Sequence, residues 1–158
     1  MMTLFIDPGK TGGAIVVNRL GQVFTVEFGS VEQVAHDLLN ISEVVDHAYI
    51  EDIHASGQMV PKQSFEFGRN LGHWEGILAG LETHEITRIK PYAWQKPMGV
   101  PRGLDYGKRK TWLYRKSVGL VGKKLTSRAL ADAWLIAHHC RKACPQLDQM
   151  FDALMKNS

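Results

Sequence analysis

The chain has 158 residues, of which 44% are hydrophobic and 22% charged, with a formal net charge of +3. Those proportions are ordinary for a folded chain, so extended disorder is excluded and a single domain spanning residues 1–158 is expected. No apolar run reaches the length of a membrane span and the start shows no signal-peptide pattern, so no membrane partner and a cytoplasmic setting are expected.

Thr3 to Asp7 reads as a buried strand, Gly12 to Asn18 as a second and Gln22 to Phe28 as a third. Their short, glycine-containing connections predict an antiparallel meander. Ser30 caps a helix that carries Val34, Leu38 and Leu39 near the helical period. "HAYIED" is a fourth strand, ending in Glu51 and Asp52, and "ASGQMVPKQS" is a loop rich in turn formers. A long helix follows from about Ser64 to Glu82, with Phe67, Leu71, Trp74, Leu78 and Leu81 spaced alternately by four and three. "EITRIK" is a fifth strand. "PYAWQKPMGV" is a short helix stopped by Pro97, and the loop "GVPRGLDYG" leads into a basic helix, Lys108 to Val121. Ser127 to Lys142 and a segment after Pro145 supply the last helices. A meander followed by alternating helix and strand predicts an α/β fold: a central five-stranded mixed sheet flanked by helices.

Three acids stand where acids are costly. Asp7 ends the first strand in "FIDPGKTGG", Glu51 ends the fourth, and Asp132 lies inside the apolar helix "ALADAWLIAHHC". A buried carboxylate needs a partner, a proton or a metal, and in open α/β sheets the C-terminal edge of the strands is where ligands bind. Each acid alone has a plain explanation. Asp7 can open a turn through its side chain, Glu51 can be a solvated strand end, and Asp132 can pair with Arg128. Together they are better explained by convergence on a divalent cation.

Charge is unevenly distributed. Between Lys108 and Arg128 lie Lys108, Arg109, Lys110, Arg115, Lys116, Lys123, Lys124 and Arg128, with no acid among them. A run of this kind is either a solvated helix face or a binding surface for phosphates. Gly68, Gly72, Gly76 and Gly80 recur every fourth residue of the long helix. Glycine costs about 1 kcal/mol per site there relative to alanine, so some backbone must approach closely, either within the chain or across a two-fold dimer interface. Cys140 and Cys144 form no disulfide framework. With His138 and His139 beside them they suggest zinc only weakly, because the spaced ligand pairs of a structural zinc site are missing.

"FIDPGKTGGAIV", "YIEDIHA", "QSFEFGRNLGHWEGILAGL" and "LADAWLIAHH", in this order, resemble the RuvC family of Holliday junction resolvases. The resemblance extends to about Cys140 and implies the ribonuclease H-like fold. It also implies a metal-dependent endonuclease that cuts four-way DNA junctions as a homodimer. On this reading the metal ligands are Asp7, Glu51 and Asp132, and the catalytic lysines are Lys96 and Lys110, with Lys108 an alternative to the latter. His54 falls where the family often places a base-contacting aromatic, and its plain alternative is a loop histidine without a role. The phosphate-binding set is Lys96, Lys108, Arg109, Lys110, Arg115 and Lys116, and Gly68, Gly72 and Gly76 face the dimer partner. Hard oxygen ligands select Mg2+, with Mn2+ able to substitute, and two ions can stabilise the attacking and the leaving oxygens. The family usually carries another acid or histidine three residues before its last aspartate. Here that residue is Ala129, which the helical reading puts on the face of Asp132.

Two rival classes are weaker. An actin or sugar-kinase type of ATPase needs a second domain and a second glycine-rich phosphate motif. A protein that binds branched DNA without cutting it agrees with the gap at Ala129.

Overall fold

The computed structural model describes residues 1–41, 44–53 and 60–156. Strand β1 (Thr3–Asp7) is buried along its whole length, which requires apolar cover on both faces. Leu4 and Ile6 point to one core and Phe5 to the other. Strand β2 (Gly13–Val17) pairs antiparallel with β1, and β3 (Val23–Glu27) antiparallel with β2. Strands β4 (His47–Glu51) and β5 (Glu85–Ile89) add in parallel on the other side of β1. The sheet order is β3-β2-β1-β4-β5.

Helices α1 (Val31–Ile41) and α2 (Pro61–Gly80) cover the face of Leu4, Ile6, Ala48 and Ile50. The opposite face, with Phe5, Ile15 and Ile89, is covered by α3 (Pro91–Gln95), α4 (Tyr106–Val121), α5 (Ala131–Cys140) and α6 (Pro145–Lys156). A short 3-10 helix, Arg141–Ala143, joins α5 to α6. The expected five-stranded mixed sheet flanked by helices is therefore present.

Several boundaries differ from expectation, each for a local reason. Helix α2 begins at Pro61, three residues before Ser64, because proline at the first helical position sacrifices no hydrogen bond. It ends at Gly80, and Glu82 turns the chain with a positive φ of 49°. Helix α4 begins at Tyr106, where the Asp105 carboxylate accepts the Lys108 backbone N–H at 2.9 Å. The expected helix from Ser127 to Lys142 is shorter at both ends. Ser127 Oγ and the Ser127 carbonyl both accept the Leu130 N–H, closing a tight turn that delays α5 until Ala131. Ala129 thus lies in that turn, outside the helix, and the helical spacing expected between it and Asp132 does not apply.

The glycines of α2 bear on one of the two expected close approaches, the one within the chain. A Cβ placed on Gly68, Gly72, Gly76 or Gly80 meets nothing within 4 Å. No part of the chain's own described structure needs them small.

Candidate active site

Two acids are brought together by strand register. In the parallel pair of β1 and β4, Phe5 lies opposite Tyr49 and Ile6 opposite Ile50. One further step places Asp7 beside Glu51, on the same face as Phe5 and Tyr49, at the C-terminal edge of both strands. Helix α5 packs against β1 and brings Asp132 in its first turn, where the positive end of the helix dipole favours a carboxylate. All three side chains are buried, with exposures of 6% for Asp7, 7% for Glu51 and 5% for Asp132.

The turn after β1 is built around Asp7. Gly9 donates its backbone N–H to Asp7 Oδ1 at 2.9 Å, so the aspartate opens the turn as well as facing the site. The chain then folds back so closely that a Cβ on Gly12 would lie 2.1 Å from the Asp7 carbonyl oxygen. Only glycine fits there.

Glu51 is held from another direction. Trp94, fully buried in α3, donates its indole N–H to Glu51 Oε1 at 2.8 Å. Sequence reasoning missed Trp94. The available signal was general: a buried indole N–H normally finds an acceptor.

The third contact carries charge. Lys110 Nζ lies 2.5 Å from Asp132 Oδ2. Burial works against the Lys110 charge, but Asp132 and Asp7 outweigh it and hold its pKa above the usual lysine range. One ammonium does not balance three carboxylates. Burial first, and then the Asp132 charge, push Asp7 up to about 6. Burial, followed by Asp7 and Asp132, pushes Glu51 up to about 8.

This chemistry fits a hard divalent cation: three buried carboxylates, two of them with proton affinities raised by burial and then by the neighbouring carboxylate charges. Among the described residues, no group of three His, Cys, Asp or Glu side chains stands in metal-holding geometry. Lys110 holds an oxygen of Asp132, and Trp94 an oxygen of Glu51. The same observation applies to Cys140 and its neighbouring histidines. Burial pushes the Cys140 thiol up to about 12, which disfavours the thiolate that zinc requires.

The remaining basic residues spread outward from Lys110. Arg109 and Lys110 both lie over the Tyr106 ring, at 5.7 and 6.0 Å from its centroid. Lys96 is exposed at the end of α3 and makes no hydrogen bond or ion pair with the three carboxylates. It lines a cleft of about 370 Å3 with Arg102 and Arg109. Lys108 is exposed, 3.2 Å from Asp105. Arg115 is exposed near it, while Lys116 lies further along α4 towards His138. Arg102 and Lys10 were also missed, because neither belongs to a charge run. His54 lies outside the described residues.

A sheet of order β3-β2-β1-β4-β5, with helices on both faces and acids at the ends of β1 and β4, is a ribonuclease H-like fold. Within that class the chain is similar to RuvC of Thermus thermophilus. The structure of that protein in complex with a Holliday junction substrate superposes with a TM-score of 0.56 at 17% identity, covering 91% of this chain and 96% of that one. A second Thermus thermophilus RuvC structure gives a TM-score of 0.53 at 15% identity, with 90% and 96% covered. No protein-family model and no curated protein sequence matches the chain.

Proposed function

We propose that the chain is a metal-dependent endonuclease that resolves four-way DNA junctions as a homodimer. The observation that carries the reading is the meeting of Asp7, Glu51 and Asp132 at one sheet edge, with Lys110 among them. Support comes from the fold shared with RuvC, one structure of which holds a Holliday junction substrate.

Asp7, Glu51 and Asp132 are the residues that would hold Mg2+ or Mn2+. Two such ions, when bound, supply Lewis acidity for water activation and for the departing 3′ oxygen. The protein's own part is positioning. Gly9 fixes one oxygen of Asp7, and Trp94 fixes one oxygen of Glu51. Lys110 pairs with Asp132 and offers an ammonium to the scissile phosphate, where negative charge grows during displacement. Lys96 and Arg102 provide phosphate contacts in the neighbouring cleft, and Lys108, Arg109, Arg115 and Lys116 extend them along α4.

The dimer reading draws on a groove beside the open glycine face of α2. The groove has a volume of about 380 Å3 and is lined mainly by apolar residues, among them Val31, Ala35, Leu39, Ile77 and Leu81. A second copy would place another backbone against glycines that nothing in the chain itself requires.

One observation favours a second reading. The ion pair of Lys110 with Asp132 gives one of the three carboxylates a partner without metal, as a passive binder of branched DNA would need. Incubating a synthetic four-way junction with protein and magnesium, beside a linear duplex, separates the two. Paired nicks in opposing strands of the junction support the nuclease. Tight junction binding without cleavage selects the passive binder.

A further inference from the structure

A recess of about 400 Å3 opens between the first half of α2 and the start of α4. Its volume falls within the roughly 300–1,000 Å3 typical of small-ligand sites. Phe67 and Tyr106 supply aromatic surface, Gln63 and Asn70 supply amides, and Lys10 and Arg109 supply positive charge, with Glu66 also on the wall. Asn70 is 5% exposed and lines the recess. Arg109 Nε is buried and has no hydrogen-bond partner among the described residues. An unsatisfied buried donor costs stability unless a ligand completes it. Tyr106 also connects the recess to the carboxylates, since its ring lies under both Arg109 and Lys110, and Lys110 contacts Asp132.

Flat aromatic surface, amide side chains and nearby cations together suit one chemical class. A nucleobase stacks on the rings, its edge meets an amide that can both donate and accept, and its phosphate stays among the cations. We propose that this recess receives one unstacked nucleobase from the branched DNA, belonging to a nucleotide next to the phosphate held at the carboxylates. The placement of that phosphate rests on the nuclease reading. A four-way junction suits such capture because bases at its crossover have incomplete stacking, which lowers the cost of extrusion.

The test uses the full chain in chelator, without added metal, and four-way junctions in which each nucleotide near the branch point is replaced in turn by an abasic analogue. For the wild type, one position should weaken binding roughly tenfold. Phe67→Ala and Asn70→Ala should bind the intact junction more weakly by a similar factor and become indifferent to that position. Phe67 is only half-buried, so Phe67→Ala keeps the fold even if Asn70→Ala does not. Abasic positions that weaken wild type and Phe67→Ala equally would overturn the proposal. Adding magnesium to the intact junction tests the nuclease separately. Cleavage without base-dependent coupling removes the recess alone. Coupling without cleavage removes the nuclease and leaves the recess standing, and failure to bind any junction removes both.

Discussion

Lys110 Nζ stands 2.5 Å from Asp132 Oδ2 and serves, in the absence of metal, as the positive charge of a site containing three buried carboxylates. On the proposed metal-dependent reading, a divalent cation and this ammonium would compete for the same oxygen. Lys110→Met should melt at a lower temperature than wild type in chelator and gain more from millimolar magnesium. If Lys110 also stabilises the reacting phosphate, cleavage should fall roughly 100-fold or more. Scanning calorimetry with and without magnesium checks the first expectation. An unchanged magnesium increment would place Lys110 outside the metal site.

Asp7→Asn should abolish cleavage while junction affinity changes less than about threefold, because the proposed function assigns the phosphates to the basic residues and not to Asp7. Gel-shift and cleavage assays on one junction separate the two effects. Retained cleavage would remove Asp7 from catalysis.

The pH dependence of stability follows from the raised values of Asp7, about 6, and Glu51, about 8. Both carboxyls hold their protons more tightly folded than unfolded. Their contribution to stability is complete below the unfolded values and is lost as pH rises through 6 and then 8. The denaturation midpoint of the metal-free protein should therefore fall between about pH 5 and about pH 8. Glu51→Gln should remove the upper part of that fall. A midpoint that rises across this range would contradict the burial and mutual repulsion of the carboxylates.

Trp94→Phe removes the donor to Glu51 and keeps most of the ring's packing. The hydrogen bond favours the ionised carboxylate, so its loss should push Glu51 higher still and move the rising limb of the cleavage profile to higher pH. The stability cost should be on the order of 1 kcal/mol. An unmoved pH profile would make Trp94 a packing residue only.

The glycine helix offers a test in which monomer and dimer respond oppositely. Within one chain, Gly76→Ala meets nothing within 4 Å and should stabilise α2 by up to about 1 kcal/mol. At a close-packed dimer interface the same methyl, or the larger Gly76→Leu, should cause dissociation. Sedimentation velocity of wild type and variants decides. A wild type that sediments as a monomer at tens of micromolar would end the dimer reading.

Salt dependence distinguishes the basic residues. Removing Arg109 or Lys108 should reduce the slope of log affinity against log salt by about one for each phosphate left without its cation. Lys116, which lies towards His138, should change it less.

Much of the molecule is legible along the chain because its signals are local. Alternating or continuous apolar runs mark all five strands, and turn glycines mark the meander. The acids at the ends of β1 and β4 are conspicuous because burial of charge is costly wherever it occurs. Helix starts are less legible. The Ser127 turn and Pro61 at the head of α2 act through backbone hydrogen bonds that periodicity does not register, so the apolar pattern runs α5 back over Ala129, two residues before the helix begins.

What the sequence determined by itself was the set of strands and the presence of acids too costly to bury without compensation. Only the tertiary structure decided which groups compensate them. Parallel register put Asp7 beside Glu51, the packing of α5 on β1 delivered Asp132, and the side-by-side placement of α4 and α5 selected Lys110 over Lys96 as the contacting lysine. Trp94 reaches Glu51 from 43 positions away, and Lys110 reaches Asp132 from 22. Electrostatic and hydrogen-bonding partners separated so far in sequence are chosen by how sheet and helices stack, and no local pattern encodes that choice.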